Sequence, residues 1–403
     1  MKLKIELNDI NGSIIKLLLS AILLYKCLIQ YYIEINGMFT ILGSLLLVAV
    51  LVDCKFNLSI FLFDHSKALI IMMIYFALTF TLGFIVSPDI SVHMSTGLTV
   101  IEFLFVAICI SYYGKTRHTT DFIVTDYLVF YGILLALLIF NPAIVSTSQG
   151  IRYSINDQLN ENALALYASL FVWAVLYRVS QKRISTMVGF LLIGVALYCC
   201  IMTASRKGFL AFAIIIILWI LFVYLKGKNS ILRFCFLLFV VIIFSYYFLP
   251  NLLESNLWTR LKDFGDAGTK NRIDMYQVGM QYLKTSPALG IGFNGFRYYY
   301  GYYSHSSIVE VFVTSGIPLG IMYFYSFVQL FINMKNKRKN MLNMSAMTEE
   351  AEVGFKMRVI LLITIVISFA YIIHMFELST YYSLGIILMW EYFTPQQSDN
   401  LLS

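Results

Sequence analysis

The sequence predicts an all-α polytopic membrane protein, and three observations favour this fold class. Of the 403 residues, 60% are hydrophobic and 13% are charged, whereas soluble domains are roughly half apolar and about a quarter charged. Long apolar runs recur along the chain between short polar segments. No hydrophilic stretch is long enough for a soluble domain, so we expect residues 1–403 to form a single integral membrane domain. The composition excludes a soluble globular protein, a disordered chain, a disulfide scaffold and a nucleic-acid-binding domain.

The apolar runs predict about twelve transmembrane helices, because a helix that crosses a bilayer needs about 20 residues. The predicted spans are 14–33, 37–52, 68–86, 95–113, 122–140, 162–177, 186–203, 209–225, 234–249, 308–331, 359–376 and 379–393. Lys16 and Lys26 interrupt the first run, and no small-residue cleavage site follows it. We therefore interpret this run as an uncleaved anchor and not as a signal peptide.

The uneven distribution of lysine and arginine between alternate loops predicts that both termini are cytoplasmic. The cytoplasmic set of loops carries most of the basic residues and includes a basic cytoplasmic loop at 332–358. The opposite set includes one large extracytoplasmic loop at 250–307. None of the six cysteines falls in a predicted outer segment, so a structural disulfide is not expected. No spaced set of cysteine and histidine predicts a metal site.

The basic residues on the predicted outer side run against the positive-inside bias, so each needs a specific reason. Arg206 is the most informative, because Thr203–Gly208 is a short turn between two long apolar helices, where an unpaired charge is costly. A guanidinium can pair with phosphate oxygens through two parallel hydrogen bonds. Alternatively, these side chains contact lipid headgroups or pair with nearby acids. The basic residues are Arg152, Arg206, Lys207, Arg260, Lys262, Lys270, Arg272, Lys284 and Arg297, and the acids are Asp157, Glu254, Asp263 and Asp266.

The large outer loop contains a predicted helix over 271–284. Its apolar residues Ile273, Tyr276, Met280 and Leu283 form one stripe at helical spacing. A short amphipathic helix lying on the membrane surface would show the same pattern. Arginine at the start of this helix could meet an anion near the amide-rich end.

Two further motifs follow in the same loop. Gly290–Gly295 matches G-x-G-x-x-G, but a dinucleotide site needs a preceding strand in a βαβ unit. The glycines therefore predict a tight turn. Arg297–Ser306 is rich in tyrosine, and such a cluster is either an aromatic belt at the bilayer interface or a surface for stacking sugars. His305 is a candidate general base, because an unperturbed imidazole pKa of about 6.5 suits that role, whereas His93 and His374 are interpreted as structural.

The order of motifs along the chain resembles that of the O-antigen polymerase and O-antigen ligase superfamily. The likeness covers about 150–325, and Ser306 follows the histidine where the family commonly has asparagine. The matching motifs are Arg152 with Asn160–Ala163, Thr203–Gly208, Arg272 and Tyr276 with Pro287–Gly292, and His305–Glu310 with Gly316–Gly320.

This resemblance implies transfer of a glycan from a polyprenyl diphosphate carrier, such as undecaprenyl diphosphate, to an acceptor hydroxyl outside the cytoplasm. No metal or cofactor is implied. The residues implied to bind the diphosphate are Arg206 and Arg272, followed by Arg152, Arg297 and Lys207. His305 is the implied base, and the implied sugar- and acceptor-binding residues are Tyr302, Tyr303, Asn162 and Glu310.

Three functions remain open. A polysaccharide polymerase of the O-antigen or capsule type is preferred, because the Ser-Arg-Lys-Gly turn and the tyrosines resemble that class. A ligase that moves the finished glycan to lipid A core is the alternative. A transporter or lipid-linked oligosaccharide flippase is the third hypothesis, and it would use Glu102, an acid within a predicted span, for coupling. Against a transporter, no internal repeat is visible and the polar residues collect in one outer loop.

The expected location is the inner (cell) membrane, with the active site facing the periplasm or the outside. The expected partners are a polyprenyl diphosphate-linked oligosaccharide, membrane lipids, and a chain-length regulator and flippase of the same pathway. No nucleic acid is expected among them.

Overall fold

The structure, a computed structural model, describes residues 2–35, 37–57, 66–117, 121–147, 150–226, 252–262, 267–345 and 347–392, with isolated residues between 231 and 250. Helices dominate this part of the chain, and its two strands form one small hairpin. The class therefore agrees with a helical polytopic membrane protein.

The elements are as follows in chain order. Five helices precede the hairpin: α1 (Lys2–Cys27), α2 (Met38–Asp53), α3 (Lys67–Val86), α4 (Ile90–Arg117) and α5 (Phe122–Phe140). The antiparallel hairpin pairs β1 (Ala143–Thr147) with β2 (Gly150–Ser154). The helices after it are α6 (Glu161–Ser180), α7 (Thr186–Thr203), α8 (Arg206–Tyr224), α9 (Asn256–Lys262), α10 (Ala267–Thr285), α11 (Gly295–Tyr300), α12 (Ser307–Asn343), α13 (Glu349–Ser368) and α14 (Leu378–Leu388).

Among the described residues, eight helices are long and apolar enough to cross a membrane. They are α3 to α8, α12 and the Ile10–Tyr31 segment that contains most of α1. The helices α2 and α14 are apolar but shorter. The predicted span 234–249 lies mostly outside the described residues, and α13 ends at Ser368, inside the predicted span 359–376. The number of about twelve spans and the side on which the termini lie stay predictions.

Both segments expected to be long loops contain helices. Residues 332–358 form the end of α12 and the start of α13, which pair as a helical hairpin. Arg338 and Glu352 make a bidentate ion pair between these helices, with nitrogen–oxygen distances of 2.8 and 3.0 Å. Residues 250–307 contain α9, α10 and α11, so the predicted amphipathic helix is one of three in the described part of that segment.

The described chain forms two compact units. The first comprises residues 1–23, 36–122 and 272–403, and the second comprises residues 24–35 and 123–271. In the first unit, aromatic rings join α3 and α12, with the ring centres of Tyr75 and Tyr323 4.9 Å apart. The helix α14 approaches α4 closely, because a Cβ on Gly385 would lie only 2.6 Å from the Cγ2 of Ile110.

In the second unit, α6 is the central helix and is buried along most of its length. Its Tyr167 stacks on Tyr131 of α5, with ring centres 4.9 Å apart. The start of α8 packs directly on α6, because a Cβ on Gly208 would lie 2.1 Å from the Cβ of Ala165. This close approach holds the beginning of α8 beside the beginning of α6.

Candidate functional site

The turn between α7 and α8 is built by local capping interactions. The helix α7 ends at Thr203, and Ala204 takes a left-handed conformation with φ of 48°. The hydroxyl of Ser205 caps α8, because it accepts a hydrogen bond from the backbone N–H of Gly208 at 3.3 Å. Arg206 is therefore the first residue of α8, and the predicted short turn between two apolar helices is confirmed.

Arg206 of α8 and Arg260 of α9 link this turn to α9 through hydrogen bonds. The Nη1 of Arg206 donates to the backbone carbonyl of Arg260 at 3.0 Å. The buried guanidinium of Arg260 donates to the carbonyl oxygen of Ala204. Arg260 was grouped with the outer basic residues but was not predicted as a ligand, and its basic charge on that side is the one sequence signal that could have identified it.

Arg152 reaches the same part of the second unit from strand β2. Its Nη1 donates to the carboxylate of Glu161 at 3.2 Å, and both side chains are buried. Burial lowers the pKa of Arg152, Glu161 opposes that shift, and the positive charge of Arg206 adds to it. Arg206 is therefore close enough to act on Arg152 electrostatically. The Nε of Arg152 is buried and makes no hydrogen bond in the structure.

Asn162 and Lys207 complete this group. Asn162 is the second residue of α6, and its Oδ1 accepts a hydrogen bond from the Ser205 hydroxyl at 2.8 Å. This bond ties the start of α6 to the turn before α8. Lys207 follows Arg206 directly and is half-buried.

We call Arg152, Arg206 and Arg260 the arginine cluster. Its members come from a strand, a helix start and a short helix, and the contacts described above hold each of them in place. Guanidinium groups with fixed positions suit an anion that offers several oxygens, such as a diphosphate.

In the first unit, α12 is broken at Gly316, where φ is 76° and ψ is 176°. Pro318 has no N–H, so the carbonyl of Thr314 has no helical donor. That carbonyl accepts instead from the backbone N–H of Gly292, at 3.0 Å. The loop before α11 thus supplies hydrogen bonds that the broken helix lacks.

The glycines of the G-x-G-x-x-G segment are turn residues, as predicted. Gly290 and Gly292 have φ of 71° and 78°. A Cβ on Gly290 would lie 2.5 Å from the carbonyl carbon of Thr314, and one on Gly316 would lie 2.5 Å from that of Ala288. The loop and the helix break therefore touch backbone to backbone, which explains glycine in both motifs.

Replacing Gly316 with alanine should lower the free energy of unfolding by about 1–3 kcal/mol or more, because its backbone region is essentially restricted to glycine. The matched control is Gly194→Ala in α7, where a Cβ would meet nothing within 4 Å. The measurement is the thermal unfolding midpoint of both variants in detergent. Equal midpoints for the two variants would contradict the proposed strain at Gly316.

His305 lies in the turn that leads into α12. Its φ of 58° is in the left-handed region, which costs a non-glycine residue about 1 kcal/mol. The flanking serines hold this turn, since Ser304 is fully buried and the hydroxyl of Ser306 donates to the carbonyl of Phe369 at 3.2 Å. The side chain of His305 is half-buried. A backbone outlier held in this way often marks a functional position.

Glu310 is fully buried one turn into α12. Its Oε2 accepts hydrogen bonds from the hydroxyl of Ser304 at 2.8 Å and from its backbone N–H at 3.3 Å. The structure thus places Glu310 beneath the turn that carries His305. Glu310 is expected to bind the sugar or the acceptor, but its side chain has no exposed surface.

The predicted helix over 271–284 is confirmed within α10. Arg272 and Tyr276 lie four residues apart on this helix and are therefore neighbours. Burial raises the pKa of Tyr276, and the positive charge of Arg272 opposes that shift. The predicted apolar stripe is only partly the packed face, because Ile273 and Met280 are exposed, whereas Tyr276 packs against the buried cluster that contains Met275. The position of α11 decides which side of α10 faces the protein.

Arg297 is held by a tyrosine. Its Nη1 donates to the hydroxyl of Tyr303 at 2.8 Å, and its Cζ lies 4.9 Å from the centre of that ring. Arg297 and Tyr302 are exposed, and Tyr303 is half-buried. The exposed ring of Tyr302 is therefore accessible for stacking.

The two other histidines near the predicted outer face make internal hydrogen bonds. His93 accepts from the backbone N–H of Phe293 through Nδ1 and donates from Nε2 to the carbonyl of Phe80, both at 2.9 Å. This pattern requires the neutral Nε2–H tautomer. His374 is buried with a hydroxyl group at each ring nitrogen. These contacts favour the structural interpretation of both residues.

Glu102 also has a partner inside the protein, since its carboxylate accepts a hydrogen bond from the hydroxyl of Thr40 of α2 at 3.0 Å. A metal site was not predicted. In the part of the chain that the structure describes, no group of three or more histidine, cysteine or acidic side chains is placed to hold a metal ion.

Residues 190–324 match the family model described as O-antigen ligase. The matched region includes Arg206, Arg260, Arg272, His305 and the broken part of α12. The chain matches no curated protein.

Proposed function

We propose that the chain is a polymerase of lipid-linked glycan repeat units in the O-antigen polymerase and ligase superfamily, which the match of residues 190–324 to the family model described as O-antigen ligase supports. In this proposal, the donor glycan is attached to a polyprenyl diphosphate, and the acceptor is a sugar hydroxyl on another lipid-linked repeat unit. The reaction takes place at the outer face of the inner (cell) membrane.

The arginine cluster is the observation that carries this proposal. A lipid diphosphate is a leaving group whose negative charge increases as the glycosidic bond breaks. Arg152, Arg206 and Arg260 have fixed guanidinium groups that can stabilise this charge with little reorganisation. Lys207 adds positive charge next to Arg206, and Arg272 and Arg297 stay proposed ligands of the diphosphate. The proposal therefore assigns charge stabilisation to side chains and not to a metal ion.

We assign the base to His305. In the proposed step, the acceptor oxygen forms a bond to the anomeric carbon while the bond from that carbon to the diphosphate breaks. His305 takes the proton of the acceptor hydroxyl, and the lipid diphosphate leaves with the bonding electrons. Tyr302 and Tyr303 contact the sugars in this proposal, and Asn162 holds the turn that carries Arg206.

A ligase is the second candidate, because the matching family model is described as O-antigen ligase. The same leaving group and the same base would serve it, with an acceptor hydroxyl on lipid A core. A transporter is less supported, since Glu102 is engaged with Thr40 and the clustered arginines suit an anion.

The experiment that separates these functions is an electrophoretic ladder of surface glycan from host cells that lack the gene. For a polymerase, these cells should attach a single repeat unit, and the wild-type gene should restore long chains. Full-length chains stranded on the carrier, with none attached, would identify a ligase. Lipid-linked units retained on the cytoplasmic side would identify a flippase and contradict the proposal.

A further inference from the structure

The two residues that flank His305 are joined by a short chain of hydrogen bonds. The hydroxyl of Ser304 lies 2.8 Å from the Oε2 of Glu310 and accepts from the backbone N–H of Ser306 at 3.4 Å. The same hydroxyl also lies 3.0 Å from the carbonyl oxygen of Ser306. It has one proton and two lone pairs, so it donates to the nearer, charged carboxylate and accepts from the N–H. The chain passes from Glu310 through Ser304 to Ser306 and so spans the backbone of His305.

The residues of this hydrogen-bonded chain are shielded from solvent. Glu310 and Ser304 have no exposed surface, and Ser306 is 3% exposed. The Oε2 of Glu310 also accepts from the backbone N–H of Ser304 at 3.3 Å, so it holds both the side chain and the main chain of that residue. An acidic side chain within a membrane helix is costly and is retained mainly for function.

The opposite side of the turn is anchored independently. The hydroxyl of Ser306 and the backbone N–H of Ser307 both donate to the carbonyl of Phe369, at 3.2 and 2.8 Å. The turn is therefore held on one side by the segment after α13 and on the other by Glu310. Loss of Glu310 would remove both of its hydrogen bonds to Ser304 and leave the Ser304 hydroxyl with its contacts to Ser306 alone, while the helix start would stay attached.

We propose that Glu310 is a positioning residue, whose hydrogen bonds to Ser304 hold His305 in the left-handed backbone conformation from which its imidazole meets the acceptor hydroxyl. The role rests on the proposed function of His305 as base. It differs from direct contact with a sugar, because Glu310 acts through Ser304 and contacts neither substrate.

The variants Glu310→Ala and Glu310→Gln test this role. Glutamine keeps an acceptor oxygen for Ser304, whereas alanine removes it, so the two should differ strongly. The matched control is Thr314→Val, which changes a buried side chain one turn further along α12 whose hydroxyl makes no hydrogen bond in the described structure. The assay uses the purified full-length protein and the lipid-linked single repeat unit extracted from host cells that lack the gene.

We expect Glu310→Ala to lower kcat by about 10- to 100-fold, the effect of a small displacement of a reacting group, with KM unchanged. Glu310→Gln and Thr314→Val should stay close to the wild-type rate. Ser304→Ala, which keeps the backbone contact and removes the hydroxyl, should fall between these limits. It also provides the test if Glu310→Ala does not fold.

Three results would overturn the proposal. A Glu310→Gln enzyme as slow as Glu310→Ala would show that the negative charge itself is needed. A raised KM with unchanged kcat would indicate substrate binding. Full activity of Glu310→Ala would exclude positioning. The variant His305→Asn separates this proposal from the proposed function. Full activity of His305→Asn would contradict the assignment of His305 as base. An inactive His305→Asn together with a fully active Glu310→Ala would overturn only the positioning role of Glu310.

Discussion

Replacing His305 with asparagine should lower the rate of glycan transfer by about 10²- to 10⁴-fold, the range expected for loss of a general base. Asparagine tolerates a left-handed backbone such as the φ of 58° found here, so the variant removes the imidazole and preserves the turn. The measurement is the initial rate at which the purified protein consumes the lipid-linked single repeat unit extracted from host cells that lack the gene.

The control for His305 is Tyr298→Phe, which changes an exposed side chain of α11 in the same segment. That variant should keep the wild-type rate. Equal thermal unfolding midpoints for the two variants and the wild type would show that the fold is intact. If a folded His305→Asn protein transfers glycan as fast as the wild type, another group must take the proton.

Replacing Arg206 with alanine should lower kcat by about 10²- to 10³-fold, as found when a fixed donor to a developing negative charge is removed. Arg206 is held by its bond to the Arg260 carbonyl, and its charge acts on Arg152. Because the diphosphate gains charge in the transition state, we expect kcat to fall by a larger factor than KM rises. Arg206→Lys should recover part of the rate, since lysine keeps the charge and loses the planar fork.

The matched control is Arg183→Ala, which removes an exposed arginine in the segment after α6. It should transfer glycan at the wild-type rate. An Arg206→Ala protein with normal kcat and raised KM would restrict Arg206 to binding the carrier. If the two alanine variants were equally active, Arg206 would not belong to the site.

Much of the site could be predicted from local sequence. The turn before α8 follows from the two flanking apolar runs, and the structure places Arg206 at its end. The spacing of apolar residues predicted the helix that contains Arg272, but it did not predict which face of that helix is packed. Likewise, Gly290–Gly295 could be assigned to a turn, because a dinucleotide site would need a strand before it.

Other features depend on residues that are distant in the sequence. Arg260 joins the cluster because its guanidinium reaches the carbonyl of Ala204, 56 residues away. The hairpin that carries Arg152 was not predicted, although Ala143–Thr147 is rich in β-branched residues. The sequence predicts that Glu310 binds the sugar or the acceptor. Its burial and its hydrogen bond to Ser304 could be recognised only in the structure.

The amino-acid composition and the spacing of apolar residues were sufficient to establish a helical membrane protein, because the bilayer requires long apolar helices whatever their partners are. The ends of the apolar runs were sufficient to place Arg206 and His305 next to helix starts, since the boundary between a polar segment and an apolar run is a local signal. Long-range contacts determined which face of α10 is packed, why Gly290 and Gly316 occur together, and which residues hold Arg206 and His305. Those outcomes follow from the close approach of segments far apart in the chain, and the free energy of such contacts depends on complementary shape and hydrogen bonding that no local pattern encodes.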